Sequence, residues 1–279
     1  MGRKWELLRG MKMPYSFVMG KVFLKRPREL WSAGGGPRLI SIKGEKIEPG
    51  KKNCLFIHGL LCPICLFEEK GSLIPFLKDR YDNILYYDFP SLRKIRDNAL
   101  GLYALLEEAG YLDPDIQFDI FGFSLGGLAA RVLFQKKWNH SLNRYHVPNI
   151  NRLVCMCTCH EGACPYWVLN LGIKDVRLRV APFIAILRNY FPVFGDLFPG
   201  EFLTKLNAFD ETEEKADKVL NIAGVSLAGH DGLVPWKSAF SFIGEKKKFE
   251  GEAYNHFEIF NQMETNGVGR AIDEWLASH

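Results

Sequence analysis

No stretch of the 279-residue sequence reaches 18 uninterrupted apolar residues. That length is the least a bilayer-spanning helix requires, so a transmembrane helix is not expected. A secretory signal is not expected either. The apolar run "YSFVMGKVFL" is broken by Lys21 and has no clean small-residue cleavage site after it. Met1-Gly2 lacks the Ser or Thr that myristoylation wants, since Glu6 stands in that place. There is no internal repeat and little excess charge. The formal net charge is +4, and no nucleic-acid partner is expected. The cysteines are not even in number. There are seven, several inside apolar strand-like runs, which points to reduced thiols and a cytoplasmic compartment rather than a disulfide framework.

The charge that is present is unevenly spread. Residues 1–38 hold nine Lys or Arg against two Glu, or +7, leaving the remainder at −3. This basic arm also carries Trp5, Tyr15, Phe17, Phe23 and Trp31. Such a combination suits peripheral contact with an anionic membrane surface, although basic arms more often pack on their own domain. "SAGGGP" (32–37) reads as the linker into the domain proper, residues 39–279.

With 47% hydrophobic residues, the rest can bury a large core. Short apolar runs alternate with helical patterns, the mark of a mostly parallel sheet with crossover helices. Strands are expected at 53–59, 83–89, 116–124, 150–158 and 218–229. Helices are expected at 93–110, after 124, and at the C-terminus from about 257, with an interruption near Gly267. The very apolar, proline-punctuated stretch at about 163–215 breaks the alternation and reads as a helical lid-like insertion.

The segment "FDIFGFSLGGLAARVLF" (118–134) carries the strongest chemical signal. Gly122-Phe-Ser124-Leu-Gly126 fits G-x-S-x-G between a strand and a helix. That context turns the chain sharply enough to hold a serine exposed at the tip. Serine is a weak nucleophile without a base. Of the seven histidines, His256 follows the last strand-like run. Asp231, in "LAGHDGLVP", follows another strand and can orient an imidazole. The chain order Ser124, Asp231, His256 places the three on loops at the C-terminal edge of a parallel sheet. The Leu125 amide and the Leu60 amide, in the loop after "CLFIHG", are the expected oxyanion donors. His58, Gly59, Gly122, Gly126 and His160 shape the loops. Asp88, Asp210 and Asp217 are weaker alternatives for the acid.

These segments together resemble the α/β-hydrolase superfamily. Within it they are similar to bacterial triacylglycerol lipases and GPI inositol deacylases. "LFIHGLL", "FGFSLGGLAAR", "LVCMCTCHEGA", "AGHDGLVP" and "YNHFEIFNQ" match in order, over about 53–262. The resemblance implies an α/β fold with helices on both faces of the central sheet. It also implies a Ser-His-Asp ester hydrolase that needs no cofactor and acts on a hydrophobic or lipid ester. An acyltransferase or thioesterase with the same triad, or a non-catalytic lipid-binding protein, are the alternatives. Phe123 stands where the family usually has His, and Cys159 where it has Pro. Glu258 and Gln262 fall where some of these lipases bind Ca²⁺, but a full oxygen set is missing. Cys62-x-x-Cys65 and Cys155-x-Cys157-x-Cys159 have metal-like spacing. The last three are expected on one face of a strand, where they need not converge on an ion. No metal site is expected.

Overall fold

The computed structural model describes residues 36–44, 46–135, 148–163, 192–197, 200–208, 213–226 and 229–279. Contacts divide the chain into two units between Gly36 and Pro37. The described residues other than Gly36 belong to the second unit. Residues 1–35 of the basic arm, and most of the apolar stretch at 163–215, lie outside the described residues.

Seven strands form one sheet: β1 (Arg38–Lys43), β2 (Asn53–Ile57), β3 (Asn83–Asp88), β4 (Gln117–Phe123), β5 (Asn149–Met156), β6 (Val219–Val225) and β7 (Glu245–Glu250). Their spatial order is β1-β3-β2-β4-β5-β6-β7. Only β1 runs antiparallel, against β3. The helices are α1 (Leu73–Lys78), α2 (Ile95–Glu108), α3 (Leu125–Phe134), α4 (Pro192–Leu197), α5 (Glu201–Ala208), α6 (Trp236–Ala239) and α7 (Val268–Ser278).

Alternation along the strands builds two cores. Leu55 and Ile57 of β2 and Leu85 and Tyr87 of β3 face the layer of α2 and α3. Cys54 and Phe56, with Ile84 and Tyr86, face α1 and α7 on the other side. A parallel strand covered on both faces has no polar side to show, which is why β2 reads as a continuous apolar run. The chain leaves β2 in one direction across the sheet and β4 in the other. Their adjacent carboxyl ends, where Ile57 pairs with Gly122, form the switch point of the topology.

Two edge strands are absent from the sequence expectation. β7, "EKKKFE", is charged along its length and alternates half-buried and exposed residues, so it carries no apolar run. The C-terminal expectation needs correction too: the helix starts only at Val268. Ile259, Phe260 and Met263 are buried at helix-like spacing, but Gln262 has φ 54°. The Met263 amide donates instead to the Gly71 carbonyl, at 2.6 Å. Asn266 Oδ1 then accepts from the Val268 amide at 2.9 Å and opens α7.

The expectation that Cys155, Cys157 and Cys159 share one face of a strand also fails. β5 ends at Met156, and Cys157 has φ 50°. That turn sends Cys157 into one core while Cys155 and Cys159 enter the other. Cys54, Cys62, Cys155, Cys157 and Cys159 are free thiols.

Candidate functional site

Ser124 sits between β4 and α3 at φ 52°, ψ −119°. A left-handed φ is costly for a residue with a side chain, and it is held here by neighbours. The Ser124 amide donates to the Met156 carbonyl at 2.8 Å, and its own carbonyl accepts from Gly127 at 3.1 Å. Gly126 is pressed against the Ile57 and His58 carbonyls, and Gly122 against the Gly127 backbone. A Cβ at either glycine would collide with backbone that cannot move aside. Gly59 abuts the turn from the β2 side, where an added Cβ would lie 3.1 Å from Ser124 Cβ.

Residues 132 positions apart meet at this turn. His256 Nε2 lies 3.0 Å from Ser124 Oγ. His256 Nδ1 lies 2.7 Å from Asp231 Oδ2. The other carboxylate oxygen, Oδ1, accepts from the amides of Leu233 at 2.9 Å and Val234 at 2.7 Å. With Asp231 accepting, Nδ1 carries the ring proton, and Nε2 offers its lone pair to the serine hydroxyl. All three residues are buried, Ser124 least so at 8% exposure. An arrangement of this kind can deprotonate the hydroxyl as it attacks and stabilise the imidazolium that results.

The Leu125 amide opens α3 and the Leu60 amide lies one residue beyond Gly59. Among the described residues neither amide has a hydrogen-bond acceptor. His58 is buried; its Nδ1 donates to the Gly59 carbonyl at 2.6 Å and its Nε2 accepts from the Phe89 amide at 3.3 Å. Burial pushes its pKa down to about 4, so the ring is neutral and suits this one-donor, one-acceptor role.

His160 is fully buried, and neither ring nitrogen is hydrogen-bonded to the serine. Its Nδ1 accepts from Arg131 at 3.2 Å and its Nε2 donates to Asn221 Oδ1 at 3.1 Å. Burial and the neighbouring Arg131 charge hold its pKa well below the ordinary value. Its carbonyl accepts from Asn207 at 3.1 Å, which ties α5 to the loop after β5. This is bracing geometry.

Phe123 does not line an open wall. It is packed among Phe67, Phe260 and the His256 ring, whose centroid is 4.9 Å away. Cys157 is a feature that spacing could not reveal. Its Sγ, an Asp231 oxygen and a His256 nitrogen lie within 4.8 Å of one another. Burial and the Asp231 charge push the thiol's pKa well up, so it stays protonated, and the two other groups are already hydrogen-bonded to each other. Asp88, one of the alternative acids, pairs instead with Arg38 at 2.8 Å. Asp217 is exposed, and Asp210 lies outside the described residues.

A family described as a domain of unknown function, DUF7379, matches residues 36–164, which include β1 to β5 and Ser124. No curated protein matches the sequence. Among solved structures, the mature form of the lipase BlEst2 from Bacillus licheniformis superposes with a TM-score of 0.59 at 18% identity, over 85% of this chain and 99% of that one. Staphylococcus hyicus lipase gives 0.53 at 11% identity, over 84% and 97%. An α/β hydrolase enzyme, MGS-MChE2, from the sediment metagenome of the Mar Chica lagoon in Morocco gives 0.51 at 14%, over 88% and 96%. The chain has the α/β-hydrolase fold, and lipases and other α/β hydrolases are among its structural neighbours. Among the described residues no helix is long and apolar enough to cross a membrane.

Proposed function

We propose that the protein is a serine ester hydrolase with Ser124 as nucleophile, His256 as general base and acid, and Asp231 as the orienting carboxylate. The observation that carries this reading is the continuous chain of contacts from Asp231 Oδ2 through both His256 nitrogens to Ser124 Oγ, at 2.7 and 3.0 Å. Ser124 Oγ attacks the ester carbonyl while Nε2 takes its proton. The Leu60 and Leu125 amides receive the oxyanion. His256 then protonates the leaving alcohol, and a water activated by the same ring releases the acid. Every proton transfer uses groups of this chain and water.

A hydrophobic or lipid ester is the substrate class favoured by the apolar sequence at 163–215 and by the lipases among the structural neighbours. The basic, aromatic residues 1–34 would then hold the protein at an anionic membrane surface. Their removal is expected to weaken binding to anionic liposomes and to leave short soluble esters cleaved.

The direct test is hydrolysis of p-nitrophenyl esters from acetate to palmitate, alongside labelling by a fluorophosphonate. Turnover that rises with chain length, and labelling that vanishes in Ser124→Ala, would support the reading. A folded wild-type protein that neither turns over nor takes the label would point instead to a binding protein on a hydrolase fold.

A further inference from the structure

The oxyanion loop, His58-Gly59-Leu60-Leu61-Cys62, is pinned from outside itself. Leu61 has φ 52°, a conformation that a leucine adopts only when its surroundings require it. Its amide donates to Ser91 Oγ at 3.0 Å. The carbonyl of the same peptide plane, from Leu60, accepts from Cys62 Sγ at 3.3 Å. Burial pushes the Cys62 thiol up to about 12, so its proton is there to be donated. The plane between Leu60 and Leu61 is thus fixed at both ends. The preceding plane is fixed at its carbonyl, Gly59 O, by His58 Nδ1 at 2.6 Å. The Leu60 N–H shares the plane of the Gly59 carbonyl and points opposite to it, so His58 sets its direction from one side and the Leu60–Leu61 plane, hinged at the Leu60 Cα and held by Ser91 and Cys62, keeps it from turning from the other.

Ser91 is itself well anchored. It lies in the turn after β3 and is buried. The Pro90 carbonyl beside it accepts from the Arg93 amide at 3.0 Å and from Asn98 Nδ2 at 3.3 Å. The same turn supplies the Phe89 amide that meets His58 Nε2. The loop after β2 is therefore clamped by the loop after β3 at two points, and the Ser91 hydroxyl is the one that engages the strained residue.

We infer that Ser91 is a positioning residue for the oxyanion hole: by accepting the Leu61 amide it holds Leu61 in its left-handed conformation and keeps the Leu60 amide aimed at the developing oxyanion. This rests on the serine hydrolase reading above. Ser91 touches no reacting atom. Its effect is on the transition state and not on ground-state binding of the ester.

Ser91→Val and Ser91→Thr have nearly the same shape, and only Thr keeps the oxygen. Ser91→Val is expected to lower kcat about tenfold to a hundredfold with KM changed less than about twofold. Ser91→Thr is expected to stay within about threefold of wild type. Affinity for an alkyl trifluoromethyl ketone, which forms a tetrahedral oxyanion on Ser124, should fall in Ser91→Val by the same factor as kcat. Unchanged kcat in a folded Ser91→Val, or a fall in kcat with no loss of ketone affinity, would overturn the proposal. Amide hydrogen exchange of the wild type supplies a readout that needs no variant: the Leu61 amide should be protected, and rapid exchange there would also overturn it. A wild type without Ser124-dependent turnover but with a protected Leu61 amide would mean that the serine hydrolase reading had failed, and the positioning role with it, while the clamp itself stood.

Discussion

His256 and Asp231 are joined twice. The ring nitrogen Nδ1 meets the carboxylate at 2.7 Å, and the His256 backbone amide meets the Asp231 carbonyl, also at 2.7 Å. The loop after β6 and the loop after β7 are thereby locked as one unit, and the imidazole inherits the position of the carboxylate's backbone. The two Asp231 amide contacts, from Leu233 and Val234, keep the carboxylate from turning away.

Replacing Asp231 by Asn should separate orientation from charge. The amide can still accept from Leu233 and Val234, but a nitrogen facing Nδ1 selects the wrong tautomer. Turnover is expected to fall by about 10⁴-fold with the melting temperature little changed. Steady-state kinetics beside a thermal melt would check it. A loss of less than about tenfold would show that Asp231 does not orient His256 in the reaction.

The glycines of the turn make a contrast within one molecule. In Gly126→Ala the new methyl is driven into the Ile57 and His58 carbonyls. A cost of several kcal/mol, at least about 2, is expected from overpacking against backbone, together with loss of turnover. At Gly195, in α4, an added Cβ meets nothing within 4 Å. Gly195→Ala should be neutral or stabilising by about 0.5–1 kcal/mol. Denaturant midpoints of the two variants would decide the matter.

Acid should weaken the fold through its buried neutral histidines. His58 falls from 6.5 in the unfolded chain to about 4 in the folded one, and His160 is held well below 6.5. A depressed folded pKa contributes stability in full above the unfolded value. That stability is lost as pH falls through the window below 6.5. At about 1.4 kcal/mol per unit, His58 alone accounts for about 3 kcal/mol between pH 6.5 and pH 4. Urea midpoints measured across that range should drop with falling pH. Ring resonances of His58 that titrate near 6.5 would contradict the assignment.

Asp119 predicts the opposite kind of variant, one that harms the fold and spares the site. Its carboxylate accepts from Arg152 Nε at 3.0 Å and Nη2 at 2.6 Å, from Tyr81 Oη at 2.9 Å and from Asn151 Nδ2 at 3.0 Å. Asp119→Ala strands a half-buried guanidinium and a buried phenol, at an expected cost of about 3–5 kcal/mol. Ser124 lies five residues beyond Asp119, just past the end of β4, roughly 16 Å away at the usual strand rise. The rate per folded molecule at low temperature should be unchanged.

Much of this architecture is legible in the residues. The five interior strands announce themselves because burial on both faces leaves runs of consecutive apolar residues, as in "NCLFI" of β2 and "LVCM" at the end of β5. Gly122-Phe-Ser124-Leu-Gly126 announces the turn because that backbone excludes Cβ atoms at both flanking positions. The edges are not legible in the same way. "EKKKFE" pairs with β6 through its backbone while its side chains meet solvent, so its composition gives no sign of a strand. Nor is the end of β5, where the left-handed turn at Cys157 divides three alternating cysteines between two cores.

Local composition and order were enough to determine the fold class, the sharp turn that holds Ser124 and the candidate residues Asp231 and His256, because periodicity, backbone sterics and residue chemistry act over a few neighbouring positions. Whether Asp231, and not Asp88, faces the imidazole was decided only by tertiary structure. So was the capture of His160 by Arg131 and Asn221, and so was the clamp of Ser91 on Leu61. Each of these depends on which strand ends become neighbours in the sheet, and hydrogen bonds between segments far apart in the chain arise from that long-range pairing and from no local pattern.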